Sequence, residues 1–188
     1  MVFVFPIEQP AFFKTKVNSN RPVMRVFMQR GFLVRSRQVL EDARLAWSLL
    51  ENEEDPAKYR VHWVAALALC RAVGHVLDKV DRHSSAALSE AIDAAWKRWS
   101  EDQQIHRIFW DFVEDGRNCV LKQYEFRFFS GPTTALVGGQ SFTLDDLLFC
   151  PTTDGYAAGE DCRDVLGEAI SWWEAQLVHI ARASEAPR

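Results

Sequence analysis

Apolar residues recur at intervals of three and four along five separate stretches of the chain, and each stretch predicts an amphipathic helix. Ser36, Val39, Leu40, Ala43, Trp47 and Leu50 mark the first, between Ser36 and Glu51. "NEEDP" ends it, and Pro56 suits the first turn of a second helix over about 56–81, because a missing N–H costs nothing there. Tyr59, His62, Ala66, Leu69, Val73, Val76, Leu77 and Val80 form its apolar stripe, which makes it the central helix. Ser84 or Ser85 caps a third, with Leu88, Ile92, Ala95, Trp96 and Trp99 inward. A fourth runs from about Ile105 to Tyr124. A fifth, about Asp161 to Ala183, turns Cys162, Leu166, Ala169, Ile170, Trp173, Leu177 and Ile180 to the core.

Short polar turns between such helices predict an all-α, antiparallel bundle of four to five helices spanning 33–188. Two regions break the pattern. Residues 1–32, rich in Phe and Val and interrupted by Pro6, Pro10 and Pro22, predict an irregular arm or short strands. Residues 126–159 carry "SGP", "VGG" and "TDG" turn signals around "TALV" and "SFTL", which predict a small β-hairpin or loop inserted before the last helix.

At 188 residues the chain is long enough to bury its own core without a metal or disulfide staple. No apolar run is expected to reach the roughly 20 residues of a membrane span. The opening "MVFVFPIEQP" lacks the positive region of a secretory signal, so a cytoplasmic setting is expected. Cys70, Cys119, Cys150 and Cys162 are widely spaced with no C-x-x-C pair, so they read as buried thiols, and neither a metal nor another cofactor is expected. A net charge of −4 argues against a broadly basic nucleic-acid platform and leaves room for a local arginine cleft.

The candidate chemistry centres on "EDGRNCVLKQY", residues 114–124. On a helical wheel Arg117 falls between Trp110 and Leu121 on one side and Val113 and Tyr124 on the other, with Glu114 and Asn118 beside it and Asp115, Gly116, Lys122 and Gln123 facing solvent. An arginine on an inner face needs a partner. Glu114, three residues earlier, can make a structural ion pair with it. Alternatively, a guanidinium beside a carboxylate, an amide and a phenol forms a phosphate-binding or acid–base site. His62, central on the second helix's stripe, is either a hydrogen-bonded core residue or a base for that site. Arg71 and His75, near Asp78, read as a solvated charged face, and His83, His106 and His179 as surface residues. No Ser-His-Asp order and no glycine-rich phosphate loop can be argued, and "VGGQS" reads as a turn.

The Arg117–Asn118 pair within a helical bundle resembles the HEPN superfamily, whose ribonuclease members carry an arginine, a polar neighbour and a histidine a few positions later. That histidine is absent. The run R-N-C-V-L-K-Q-Y instead resembles the arginine, four residues, alanine, one residue, tyrosine pattern of HEPN toxins paired with minimal nucleotidyltransferase antitoxins, with Lys122 at the alanine position and Tyr124 at the tyrosine. The resemblance covers about residues 34–125 and the last helix. It implies metal-independent RNA cleavage in which the 2′-hydroxyl attacks the adjacent phosphate, Arg117 stabilises the pentavalent phosphorus and Asn118 orients it. A phenol, with a reference pKa of about 10, is a poor base near neutrality, which directs attention to His62. It also implies a homodimer lining one cleft with two arginines, and an antitoxin-like protein partner. The competing class is a non-catalytic helical interaction or ligand-binding protein in which Glu114 and Arg117 are a structural pair.

Overall fold

The structure, a computed structural model, describes residues 2–4, 33–145 and 147–186. It is mostly helical. Helix α1 spans Val34–Ser48, α2 Pro56–Lys79, α3 Ala86–Glu101, α4 Asp115–Gln123 and α5 Cys162–Glu185. A π-helix, Ile108–Glu114, runs directly into α4. The expected fourth helix is therefore a π segment followed by an α segment.

The helix starts follow local chemistry. Asp55 accepts from the N–H groups of Ala57 and Lys58, with Pro56 in the first turn of α2. Ser85 accepts from Leu88 N–H at 3.1 Å to open α3, and Asp161 accepts from Arg163 N–H at 2.9 Å to open α5. Helix α1 lacks such a cap, because Leu33 stands at that place with φ 62°. A carboxylate from elsewhere supplies it: Asp81, in the 3₁₀ turn Asp81–Ser84, accepts from Ser36 N–H at 2.9 Å, Ser36 Oγ–H at 2.6 Å and Arg35 N–H at 3.2 Å.

The inner face of α5 is as the periodicity predicts, with all seven named residues buried. In α3, Leu88, Ile92, Ala95 and Trp99 are buried and Trp96 is half-buried. Trp99, Phe109, Trp172 and Trp173 interlock at the centre, with the Phe109 and Trp172 rings stacked at 5.4 Å. Helix α2 packs against α1, the π segment, α4 and α5. Its buried stripe is Tyr59, Trp63, Ala66, Leu67, Cys70, Val73, Gly74 and Leu77; His62 is half-buried and Val80 is 49% exposed. The expectation that no segment is apolar enough to span a membrane needs correction: Pro56–Ser84 contains an 18-residue window of mean hydropathy 1.2, 39% of it buried. Its apolarity has a structural use, since α2 has neighbours on several sides.

His106 is also corrected from a surface residue. It is 7% exposed and accepts at Nδ1 from Trp172 Nε1–H at 3.2 Å, and burial, with Arg98 nearby, lowers its pKa.

Within 126–159 the expected hairpin forms, with β2 Thr133–Val137 antiparallel to β3 Gln140–Leu144. Strand β1, Val2–Val4, joins it in parallel, Phe3 opposite Ala135, giving the order β1-β2-β3. The all-α expectation thus becomes a mostly helical fold with a three-stranded sheet. The remainder of the expected arm, residues 5–32, lies outside the described residues.

Asp81→Ala should lower the free energy of unfolding by about 2 kcal/mol, because a buried charged acceptor and the α1 cap are lost together. Urea denaturation checks this, and Asp81→Asn, which keeps an acceptor, should lose less.

Candidate functional site

The rotation of α4 about its axis decides where its polar side chains lie. Phe109, Phe112, Val113, Cys119 and Val120 are buried, and Gly116 sits over Leu67 of α2, so close that a Cβ added there would stand 3.3 Å from Leu67 Cδ2. The inward stripe is therefore 109, 112, 113, 116, 119 and 120. Of the expected stripe through Trp110, Val113, Arg117, Leu121 and Tyr124, Val113 is buried as expected and the others lie to one side. Leu121 is 51% and Tyr124 70% exposed, and Gly116, expected in solvent, is at the helix contact. Large apolar side chains pulled the wheel reading round; a glycine carries no hydropathic signal, yet its missing side chain is what permits close approach.

Arg117 is half-buried, and its Nη1 donates to Asn118 Oδ1 at 3.0 Å. The expected Glu114–Arg117 ion pair is corrected. Glu114 Oε2 pairs with Arg71 Nε of α2 at 3.5 Å, and the Arg71 guanidinium lies over the Phe109 ring at 5.8 Å. Arg71, expected on a solvated face, thus occupies the carboxylate that Arg117 was expected to use.

Glu114 and Asn118 line a cleft of about 560 Å³ with Arg107, Trp110, Asp111 and Asp115, walled by Gly155 and Tyr156 of the inserted segment. Arg107 Nε donates to Asp111 at 2.7 Å and its guanidinium lies over the Tyr156 ring at 5.5 Å. Arg127 pairs with Asp115 at 2.5 Å and with Asp154 at 3.4 Å. Three arginines around the cleft, Arg71, Arg107 and Arg127, are therefore held by carboxylates. Arg117 is held by a neutral amide, and among the described residues no ion pair includes it.

The other two expected site residues are placed elsewhere. His62 Nε2 lies 3.5 Å from Glu53 Oε2, near the α1–α2 turn. Tyr124 ends α4 in the left-handed region at φ 59°, its ring edge-on to Phe126 at 4.9 Å. Glu114 ends the π segment and Arg117 and Asn118 follow in α4, whereas neither His62 nor Tyr124 makes a hydrogen bond or ion pair with Arg117. Arg107, Asp111 and Tyr156 were not foreseen. The i,i+4 spacing of Arg107 and Asp111 was visible, whereas Tyr156 reaches the cleft only through the fold of the insertion. Among the described residues no group of three or more His, Cys, Asp or Glu is placed to hold a metal ion.

No family model, curated protein or solved structure matches this chain.

Replacing Gly116 separates packing from helix propensity. Gly116→Ala should be near neutral, the gain of about 1 kcal/mol in propensity offsetting a small displacement of Leu67. Gly116→Leu should destabilise by about 1–3 kcal/mol through overpacking. Thermal and urea unfolding of both variants measure the difference.

Proposed function

We propose that this is a HEPN-like helical protein that binds RNA, with Arg117 at a backbone phosphate and Asn118 fixing the guanidinium plane. The observation that carries the reading is the charge of Arg117, which does not itself line the cleft and is held at its edge only by the amide of the lining residue Asn118, whereas Arg107 in the lining and Arg71 and Arg127 nearby are paired with carboxylates. A guanidinium bonded to an amide keeps several N–H donors and its full charge for an incoming phosphate, and it is partly pre-oriented for the bidentate geometry that phosphate favours. In an acidic protein, such a local cation is where a polyanion would attach.

Cleavage is the catalytic form of this proposal. The 2′-hydroxyl loses its proton to a base and its oxygen attacks the neighbouring phosphorus, while Arg117 stabilises the extra negative charge. The P–O5′ bond breaks and the 5′-oxygen leaves as a hydroxyl after taking a proton, so one product ends in a 2′,3′-cyclic phosphate and the other in a free 5′-hydroxyl. A proton acceptor has to come from a second copy or from the substrate's surroundings, because Glu114 is engaged with Arg71 and His62 with Glu53. A homodimer that sets two Arg117 residues along one cleft accommodates this need. A second reading, a docking module without catalysis, is favoured by the exposed Leu121 and Tyr124 on the same short helix, apolar surface suited to a protein partner.

Single-stranded RNA binding, followed by fluorescence anisotropy at low salt, should weaken at least tenfold in Arg117→Ala and less in Arg117→Lys, which keeps the charge without the fork. Affinity should fall steeply with added salt. Cleavage, where seen, should persist in chelator. Failure of the wild-type chain to bind RNA, or equal binding by Arg117→Ala, would replace this proposal with the docking module.

A further inference from the structure

A second chemical cluster lies where the inserted segment meets the start of α5. The segment around Pro151 pairs antiparallel with Asp161, and Cys162 N–H donates to Cys150 O at 2.9 Å. Cys150 and Cys162 thus flank the bridged pair, joined by one backbone hydrogen bond, and a hydrogen bond also links their thiols, which puts the two sulfurs within reach of one another. Tyr59 Oη lies 3.1 Å from Cys162 Sγ. The backbone here is held firmly: Cys150 N–H donates to Asp161 at 2.9 Å, and the Asp161 carboxylate makes a 2.6 Å ion pair with Arg163, both side chains buried.

Both cysteines are buried, at 1% and 0% exposed, but they stand differently to a neighbouring cavity. Cys150, whose thiol donates to Phe129 O at 3.3 Å, helps line a cavity of about 190 Å³ with Tyr59, Phe126, Phe128, Glu53 and Glu54, whereas Cys162 is not in that lining. We propose that Cys150 and Cys162 are an oxidisable dithiol, in which a hydroperoxide entering this cavity is reduced by Cys150 and the resulting sulfenic acid is resolved by Cys162 as a disulfide. In the first step, with hydrogen peroxide, the Cys150 sulfur attacks the near peroxide oxygen, the O–O bond breaks, and the leaving oxygen takes up the proton given up by the thiol and departs as water. In the second the Cys162 sulfur displaces the hydroxyl from Cys150, a second water leaves, and the S–S bond forms. Two thiols and one hydrogen peroxide give one disulfide and two waters. The hydrogen bond from Cys162, together with Tyr59 and Arg163, lowers the pKa of Cys150 against the opposing effect of burial, while burial and its partner raise that of Cys162. This fits attack by the first and resolution by the second. The bond would tie the inserted segment covalently to the first turn of α5.

The test exposes the folded full-length chain to hydrogen peroxide, then unfolds it in iodoacetamide and maps all four cysteines by mass spectrometry. The expected result is a Cys150–Cys162 linked peptide lacking two hydrogens, with Cys70 and Cys119 still alkylated; the Cys70 thiol, pushed up to about 12 by burial, is the internal control. Cys162→Ser should stop the reaction at a Cys150 sulfenic acid that dimedone traps. Full alkylation of both Cys150 and Cys162 in the wild type, or oxidation falling first on Cys70 or Cys119, overturns the proposal.

Discussion

The contact of Gly116 with Leu67 governs what the rest of this structure can do. Helices α2 and α4 approach at a position with no side chain on one of them, and that approach sets the rotation of the short α4. With Gly116 at the contact, Cys119 and Val120 are buried, Leu121 and Tyr124 are outward, and Arg117 lies on the flank, half-buried and next to Asn118. A residue as large as leucine at 116 would push α4 away from α2 and change the surroundings of the polar groups that follow. The π segment before it supports the same arrangement: its wider turns bring Ile108, Phe109, Phe112 and Val113 to the core together.

Electrostatics then sorts the arginines. A buried or half-buried guanidinium is retained where a carboxylate or a good hydrogen-bond acceptor meets it, and around the cleft carboxylates meet Arg71, Arg107 and Arg127. Arg163 is the extreme case, enclosed with Asp161 and donating also to Leu147 O, where it anchors the inserted segment to α5. Arg117 has only Asn118. An amide satisfies a donor without neutralising a charge, which is why the same residue reads as weakly structural and as available to an anion.

Much of the fold was legible because helices announce themselves locally. Period and caps fall within a few residues of one another, and Asp55 with Pro56, Ser85 and Asp161 start their helices as such residues should. Features that depend on distant partners were not legible. The cap of α1 comes from Asp81, 45 residues beyond Ser36; β1 pairs with a strand on the far side of four helices; and His106 is buried because Trp172 brings it a donor. At the site, Glu114 ends the π segment and Arg117 and Asn118 follow in α4, and the expected i,i+3 partner of Glu114 gives way to Arg71 from another helix. His62, on the expected stripe, is engaged by Glu53 at a turn whose geometry no periodicity encodes.

The central claim is that the fold does not depend on Arg117, and urea denaturation of Arg117→Ala tests it most directly. Loss of one half-exposed hydrogen bond to an amide should reduce the unfolding free energy by about 1 kcal/mol or less, with the m-value unchanged. A loss of about 3–5 kcal/mol, the signature of a carboxylate left buried without its partner, would contradict the account and return Arg117 to a purely structural role.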